Sequence, residues 1–130
     1  MQSSLYRLYI RLLIAYASVG QRFYVYSLRR RSRRLAHADL SYLNLAGANL
    51  TRADLRGANL RRCDLSATNL QDADLTGADL SAALMVETNL QGANLSGADL
   101  SMARVSQVQL DLAGSLDGAT LPDGTVYLSV

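Results

Sequence analysis

Side chains able to do covalent or metal chemistry are scarce in this sequence of 130 residues and 14.1 kDa. There is one cysteine, Cys63, and one histidine, His37. That count excludes a disulfide framework and a zinc centre rich in thiolate or imidazole, since both need several ligands at set spacings. Nucleophilic chemistry at Cys63 would need a base or metal partner to make the thiolate. The pattern offers none, so a structural role is expected. Serines are frequent but fall at positions that read as solvated bends; Ser96 is one whose replacement by Ala should cost almost nothing. No glycine-rich phosphate loop and no carboxylate pair with a surrounding pocket can be proposed. The sequence therefore predicts no enzyme, no cofactor and no metal. What remains is the chemistry of charge. Residues 1–38 carry eight Arg and no acid, whereas residues 39–130 carry five Arg against eleven acids, so a charge of +8 faces one of −6.

The elements that position these charges follow from an internal repeat, the feature to seek first. A large aliphatic residue recurs at every fifth position, fifteen times: Leu40, Leu45, Leu50, Leu55, Leu60, Leu65, Leu70, Leu75, Leu80, Met85, Leu90, Leu95, Leu100, Val105 and Leu110. Two residues before these, Ala occurs ten times, and Asp or Asn lies between the two twelve times. The unit reads Ala-(Asp/Asn)-Leu-x-x, as in Ala53-Asp54-Leu55-Arg56-Gly57. A helix cannot use this spacing, because five steps of about 100° would scatter the leucines around its circumference. An extended segment can: residues two apart share a side, so Ala and Leu face one interior and the polar residue faces out. The last two positions are rich in Ser, Thr and Gly, which suits a tight bend. A unit this short cannot bury its own Ala and Leu, so successive coils must stack around a shared interior built from two sizes of aliphatic side chain.

At this point the chain resembles the pentapeptide-repeat family, over about residues 36–110. The resemblance implies an all-β solenoid: a right-handed, quadrilateral β-helix with four repeats per turn, here of about four coils, roughly 18 Å tall at the usual strand spacing. Residues twenty apart should then stack in columns. Arg52 falls beneath Asp72 as an expected ion pair, and Asp39, Asn59, Asp79 and Asp99 form a column that mixes acids with amides.

Departures from the unit are informative. Cys63, Thr68 and Thr88 take the small inward position and are expected to be buried. Leu84 and Val86 flank Met85 at outward positions and form a candidate partner patch. Arg56, Arg61 and Arg62 are expected near one corner. The step from Leu110 to Leu116 is six residues, so the regular coil should end there. Pro122-Asp123-Gly124 is a turn signal. The organisation expected is a segment of residues 1–35, a β-helix of residues 36–112, and a capping turn or hairpin of residues 113–130 that blunts the open strand edge.

Residues 1–35 do not follow the repeat. On a helix Arg7, Arg11, Ser18, Arg22, Arg29 and Arg33 fall within about 80° of one another, while Leu5, Leu8, Leu12, Leu13, Ile14, Tyr16 and Val19 fill most of the rest. Only nine uncharged residues separate Arg11 from Gln21, too few for the roughly 20 that span a bilayer. This amphipathic segment suits three roles: a helix covering the open first coil, a surface helix on anionic lipid, or a targeting segment. In the second role Arg7, Arg11, Arg22, Arg29, Arg30, Arg31, Arg33 and Arg34 are the candidate contacts to membrane or polyanion. The functional expectation is a non-catalytic scaffold or protein-interaction module, cytoplasmic, peripheral to a membrane in the second role, with another protein as partner and a homo-oligomer compatible with it. Nucleic-acid binding is not favoured, since nothing shaped like a reading head accompanies the Arg run. The resemblance also implies an alternative, a DNA-mimicking protein that binds a topoisomerase such as gyrase. Such members are typically longer and more acidic, with Phe common at the central inward position. Here no central position is Phe, and residues 39–110 carry a net −3.

Overall fold

The structure, a computed structural model, describes residues 35–129. The expected helix and the candidate Arg contacts of residues 1–34 lie outside the described residues. Within them the chain winds as a column in which each side of a coil is a single rung. The outward residue of each unit from Asp39 to Leu84 bridges in parallel to the residue twenty further on. Face 1 stacks Asp39, Asn59, Asp79 and Asp99; face 2 stacks Asn44, Asp64, Leu84 and Arg104; face 3 stacks Asn49, Asn69 and Asn89; face 4 stacks Asp54, Asp74 and Asn94. Backbone bonds run both ways at each rung: Leu60 N donates to Asp79 O (2.7 Å) and Asp79 N donates to Ala58 O (2.9 Å).

The corners explain why the unit has five residues. Ala58 N donates back to Leu55 O (3.0 Å), closing a four-residue turn, and Gly57 at its third position has φ 63. That conformation favours Gly, yet nine other residues adopt it with φ between 55 and 63, Ala67 and Ala82 among them. Holding a residue with a Cβ there costs about 1–2 kcal/mol, against the roughly 0.5–1 kcal/mol that Gly loses in chain entropy. Ala67→Gly is therefore expected to stabilise the protein by about 0.5–1 kcal/mol, read as a higher denaturant midpoint at an unchanged slope; a lower midpoint would contradict the turn assignment.

The polar residue between Ala and Leu also has a task beyond facing water. Its side-chain oxygen accepts the backbone N–H two residues on, as Asn59 Oδ1 does from Arg61 N (3.1 Å) and Asp79 Oδ1 from Ser81 N (2.9 Å). Asp and Asn latch each corner in this way. Leu84 and Arg104, adjacent on face 2, are the rung residues between Asp39 and Arg104 that lack a side chain suited to it.

Inside, Leu40 to Leu100 at steps of five, with Met85 among them, are buried, as are the inward alanines of faces 1, 2 and 4, while Ala48 on face 3 is half-buried. Val105 is half-buried, and Leu110 is buried from a helix rather than from the ladder. Leu35 is 2% exposed and belongs to the first coil, so the column starts one unit earlier than the repeat reading placed it; Arg33 and Arg34 stand where Ala and Asp would have shown it. Buried hydroxyls and the thiol find carbonyls of the coil below: Thr68 Oγ1 donates to Leu45 O (2.8 Å), Thr88 Oγ1 to Leu65 O (2.7 Å) and Cys63 Sγ to Leu40 O (2.8 Å).

The column does not stop at Leu110. Helix α1, Gln107–Asp111, replaces the next rung of face 3, and the ladder then resumes with a step of 21: Asn94 bridges Ser115 and Asp99 bridges Thr120. Residues 113–121, expected as cap, thus extend faces 4 and 1. The extra residue is absorbed beside Gly114, where a Cβ would stand 2.7 Å from Gly92 O. A short antiparallel return, Thr120 with Val126, closes the end.

Candidate functional site

The described residues offer surfaces rather than a reactive centre. No group of His, Cys, Asp and Glu among them could hold a metal ion. Cys63 is buried, and burial pushes its thiol from 9.0 up to about 11, reinforced by the Asp39 carboxylate and opposed by the backbone hydrogen bonds at Leu43 and Tyr42. A raised thiol value means the folded state keeps its proton where the unfolded chain would lose it. The resulting stability is present below about pH 9 and is lost as pH rises towards about 11, on the order of 1.4 kcal/mol per unit. Thiol reagents should label Cys63 at the rate of unfolding, and Cys63→Ala should abolish this alkaline loss; rapid labelling of the native protein would show the burial to be wrong.

Charge on the column is arranged locally. Arg56 grips Asp54 through two bonds, Nε to Oδ1 (2.8 Å) and a terminal nitrogen to Oδ2 (2.7 Å), and its Nε lies 3.9 Å from Asp74 Oδ2. The guanidinium holds the Asp54 carboxyl below the usual carboxylate value. The pair is open to solvent and contributes little to stability. The expected Arg52–Asp72 pair is not formed. Asp72 Oδ1 instead occupies the space that a Cβ at Gly92, one coil up, would fill, so its carboxylate leans away from Arg52. Nor do Arg56, Arg61 and Arg62 share a corner: Arg56 sits where face 4 turns into face 1, and Arg61 and Arg62 where face 1 turns into face 2.

Apolar groups break the polar coat on face 2 and its corners. Leu84 is half-buried in the ladder and Val86 is 52% exposed at the next corner, as their outward positions imply. The fold sets Arg104 directly above Leu84 as its bridge partner. Met102, 78% exposed, stands above Ala82 at the adjoining corner. Sequence reading missed Met102 and Arg104, although a shift of twenty residues from Ala82 and Leu84 points to both. At the C-terminal end a cavity of about 500 Å³ lies between α1 and the last rungs, lined by Leu110, Asp111, Leu116, Asp117 and Tyr127 among others.

Compared with known proteins, residues 34–72 and 73–110 match the family model described as pentapeptide repeats, in 8 copies. The chain belongs to the pentapeptide-repeat family. Among solved structures this pentapeptide-repeat chain is similar to HetL, involved in heterocyst differentiation regulation in the cyanobacterium Nostoc sp. strain PCC 7120, with 38% identity over 71% of this chain and 40% of that one, at a TM-score of 0.38. It is similar to a pentapeptide repeat protein of the Arabidopsis thaliana thylakoid lumen, with 25% identity over 69% and 66% of the two chains and a TM-score of 0.48. QnrB1, a plasmid-mediated fluoroquinolone resistance protein, shares the fold at a TM-score of 0.59, with 20% identity over 66% and 41%. The chain thus spans between 40% and 66% of the length of these three. No curated protein matches it.

Proposed function

We propose that this pentapeptide-repeat protein is a non-catalytic interaction module, a right-handed, four-sided scaffold whose face 2 is the contact surface. One observation carries the reading: two bridging residues that depart from the Asp/Asn rule, Leu84 and Arg104, are stacked on each other, with Val86 and Met102 exposed at the flanking corners. The other outward rung residues from Asp39 to Asp99 are Asp and Asn, and the remaining exposed large apolar residues lie at the first coil's corner (Tyr42) and at the C-terminal end (Val108, Leu112, Val126, Tyr127 and Leu128). An aliphatic strip beside a cation suits a protein partner that presents aliphatic side chains next to a carboxylate. The interior supports the same reading, since its described inward positions are filled by packed Leu and Ala.

The test is a partner that co-purifies with the full chain from its host. Val86→Asp with Met102→Asp should abolish its capture while the melting midpoint holds, because both side chains are exposed. Asn94→Asp on face 4 should leave it intact. Equal capture by all three proteins would refute the assignment of face 2.

The DNA-mimic alternative draws less support. Arg56 compensates the acids of face 4, and Asn59 interrupts those of face 1. Binding of gyrase at low salt, where charge complementarity is strongest, would restore it.

A further inference from the structure

Face 2 carries its apolar groups as a strip that crosses the column from corner to corner. Met102 and, one coil below it, Ala82 stand at the corner with face 1, Leu84 lies in the middle, and Val86 stands at the corner with face 3. Cations border the strip on both sides. Arg104 lies above Leu84, and Arg61 and Arg62 lie one coil below Ser81 and Ala82, where Arg62 N donates to Ser81 O (3.0 Å). All three arginines are exposed, and among the described residues none comes within ion-pair distance of a carboxylate, the ion pairs there being those of Arg56. The backbone under the strip is already paired. Leu84 N donates to Cys63 O (2.9 Å) and Leu65 N donates to Leu84 O (2.8 Å), while Arg104 N donates to Ala83 O (2.9 Å) and Met85 N to Arg104 O (3.0 Å).

We propose that face 2 docks an amphipathic α-helix of a partner protein, its aliphatic stripe laid along Met102, Leu84 and Val86 and its two flanks bearing carboxylates, one toward Arg104 and one toward the Arg61–Arg62 corner. The proposal rests on the reading of face 2 as the contact surface and adds the form and charge of what binds there. A strand or extended loop laid on this face would bring N–H and C=O groups that find no ladder to join, and burying them unpaired is costly. A helix arrives with its backbone bonds closed within itself. Length agrees with this form. Ala82 to Val86 spans at most about 13 Å at the rise of a strand, and helix residues i, i+4 and i+7 cover about 10.5 Å of one face. Charge selects the flanks, since an unpaired guanidinium fork matches a carboxylate. Asp64, below Leu84, and Glu87, beside Val86, repel the partner's acids and so place them toward the arginines. A second copy of the chain does not supply such a helix: α1 has five residues, and residues 1–38 contain no acid.

Selection from two display libraries against the immobilised full chain tests it, one library of surface-randomised helices on a three-helix scaffold and one of randomised β-hairpins closed by a disulfide. Binders that also hold Val86→Asp/Met102→Asp are discarded, which removes those acting through other parts of the chain. The binders left should come from the helix library and carry aliphatic residues at i, i+4 and i+7 with Asp or Glu on both flanks. Against such a binder Arg104→Glu should raise Kd at least about tenfold, and a Lys at one of the binder's acidic positions should bring it back to within about threefold, the signature of a direct charge pair. The melting midpoint of Arg104→Glu should match that of the wild type, because the side chain is exposed. Binders that depend on face 2 but are hairpins, or helices without acidic flanks, would overturn the proposal and leave face 2 standing as the contact surface. So would failure of every Lys position to restore binding. If neither library yields a binder that depends on face 2, the proposal falls, and partner capture by Val86→Asp/Met102→Asp decides separately whether the contact surface falls with it.

Discussion

Leu70→Ala should lower the melting midpoint by roughly 8–40 °C, the product of about 2–5 kcal/mol for a buried leucine truncation and about 4–8 °C per kcal/mol in a domain of this size. Leu70 is 0% exposed and sits in the middle of face 3, with Leu50 one coil below and Leu90 one coil above. The ladder bonds on either side, Leu70 N to Asn89 O (2.9 Å) and Asn69 N to Ala48 O (2.9 Å), pin the backbone. Neither neighbour can move inward to fill the void, so the cavity persists. The matched control is Gln91→Ala, an exposed corner residue whose loss should stay within about 0.5 kcal/mol. Ser96, idle by the sequence reading, is a poorer control, because its hydroxyl lies 2.8 Å from that of Ser115 in the next coil. Equal shifts for Leu70→Ala and Gln91→Ala would mean that inward and outward positions are misassigned.

Gln109→Leu is the second change expected to act strongly. Face 3 ends at Asn89, and Thr88 O, which a further rung would cover, is met instead by a side chain that also reaches the turn carbonyl of Met85: Gln109 Nε2 donates to Thr88 O (2.9 Å) and Met85 O (2.7 Å). The same residue closes the start of α1, where Ser106 N donates to Gln109 Oε1 (2.8 Å) and Gln109 N to Ser106 Oγ (3.2 Å). Leucine fills similar volume with neither donor nor acceptor. Thr88 O then loses its partner, Met85 O keeps only the turn bond from Thr88 N (3.3 Å), and the helix loses half its capping box, for a cost of roughly 1–3 kcal/mol. The loss should be concentrated at one end: amide protection should fall over residues 105–113 while residues 55–74 keep theirs. Unaltered protection over 105–113 would show that Gln109 does not hold the helix in place.

Much of this was legible in the sequence for a mechanical reason. A five-residue period is incompatible with a helical face and compatible with extended pieces joined by corners, so the inward set from Leu40 to Leu100 follows from spacing alone. Leu35 escaped because Arg33 and Arg34 disguise its unit, although the period passes through it. The corner latches of Asp and Asn were written in composition, and asking why an outward position prefers those two residues over Glu, Gln or Lys would have found them. Helix α1 was harder. Ser106-Gln107-Val108-Gln109 carries a capping-box pattern, but its aliphatic residues keep the five-residue step to Leu110 and mask the change of period. The candidate patch divided in the same way: Leu84 and Val86 stand out along the chain, whereas Arg104 and Met102 join them through stacking, which a linear reading reaches by shifting twenty places. The Arg52–Asp72 pair failed because register sets which residues are neighbours, whereas side-chain direction at a corner decides which of them meet.

One rung per side has a consequence for how such a chain can change length. Duplicating twenty residues would insert a whole storey and leave every face of the column looking where it looked before. Duplicating a single unit of five would rotate everything above the insertion by a quarter turn, carrying Leu84 and Arg104 to another side of the tower. The surface that a partner grips is therefore protected against some genetic accidents and scrambled by others, according to whether the inserted length completes the circuit.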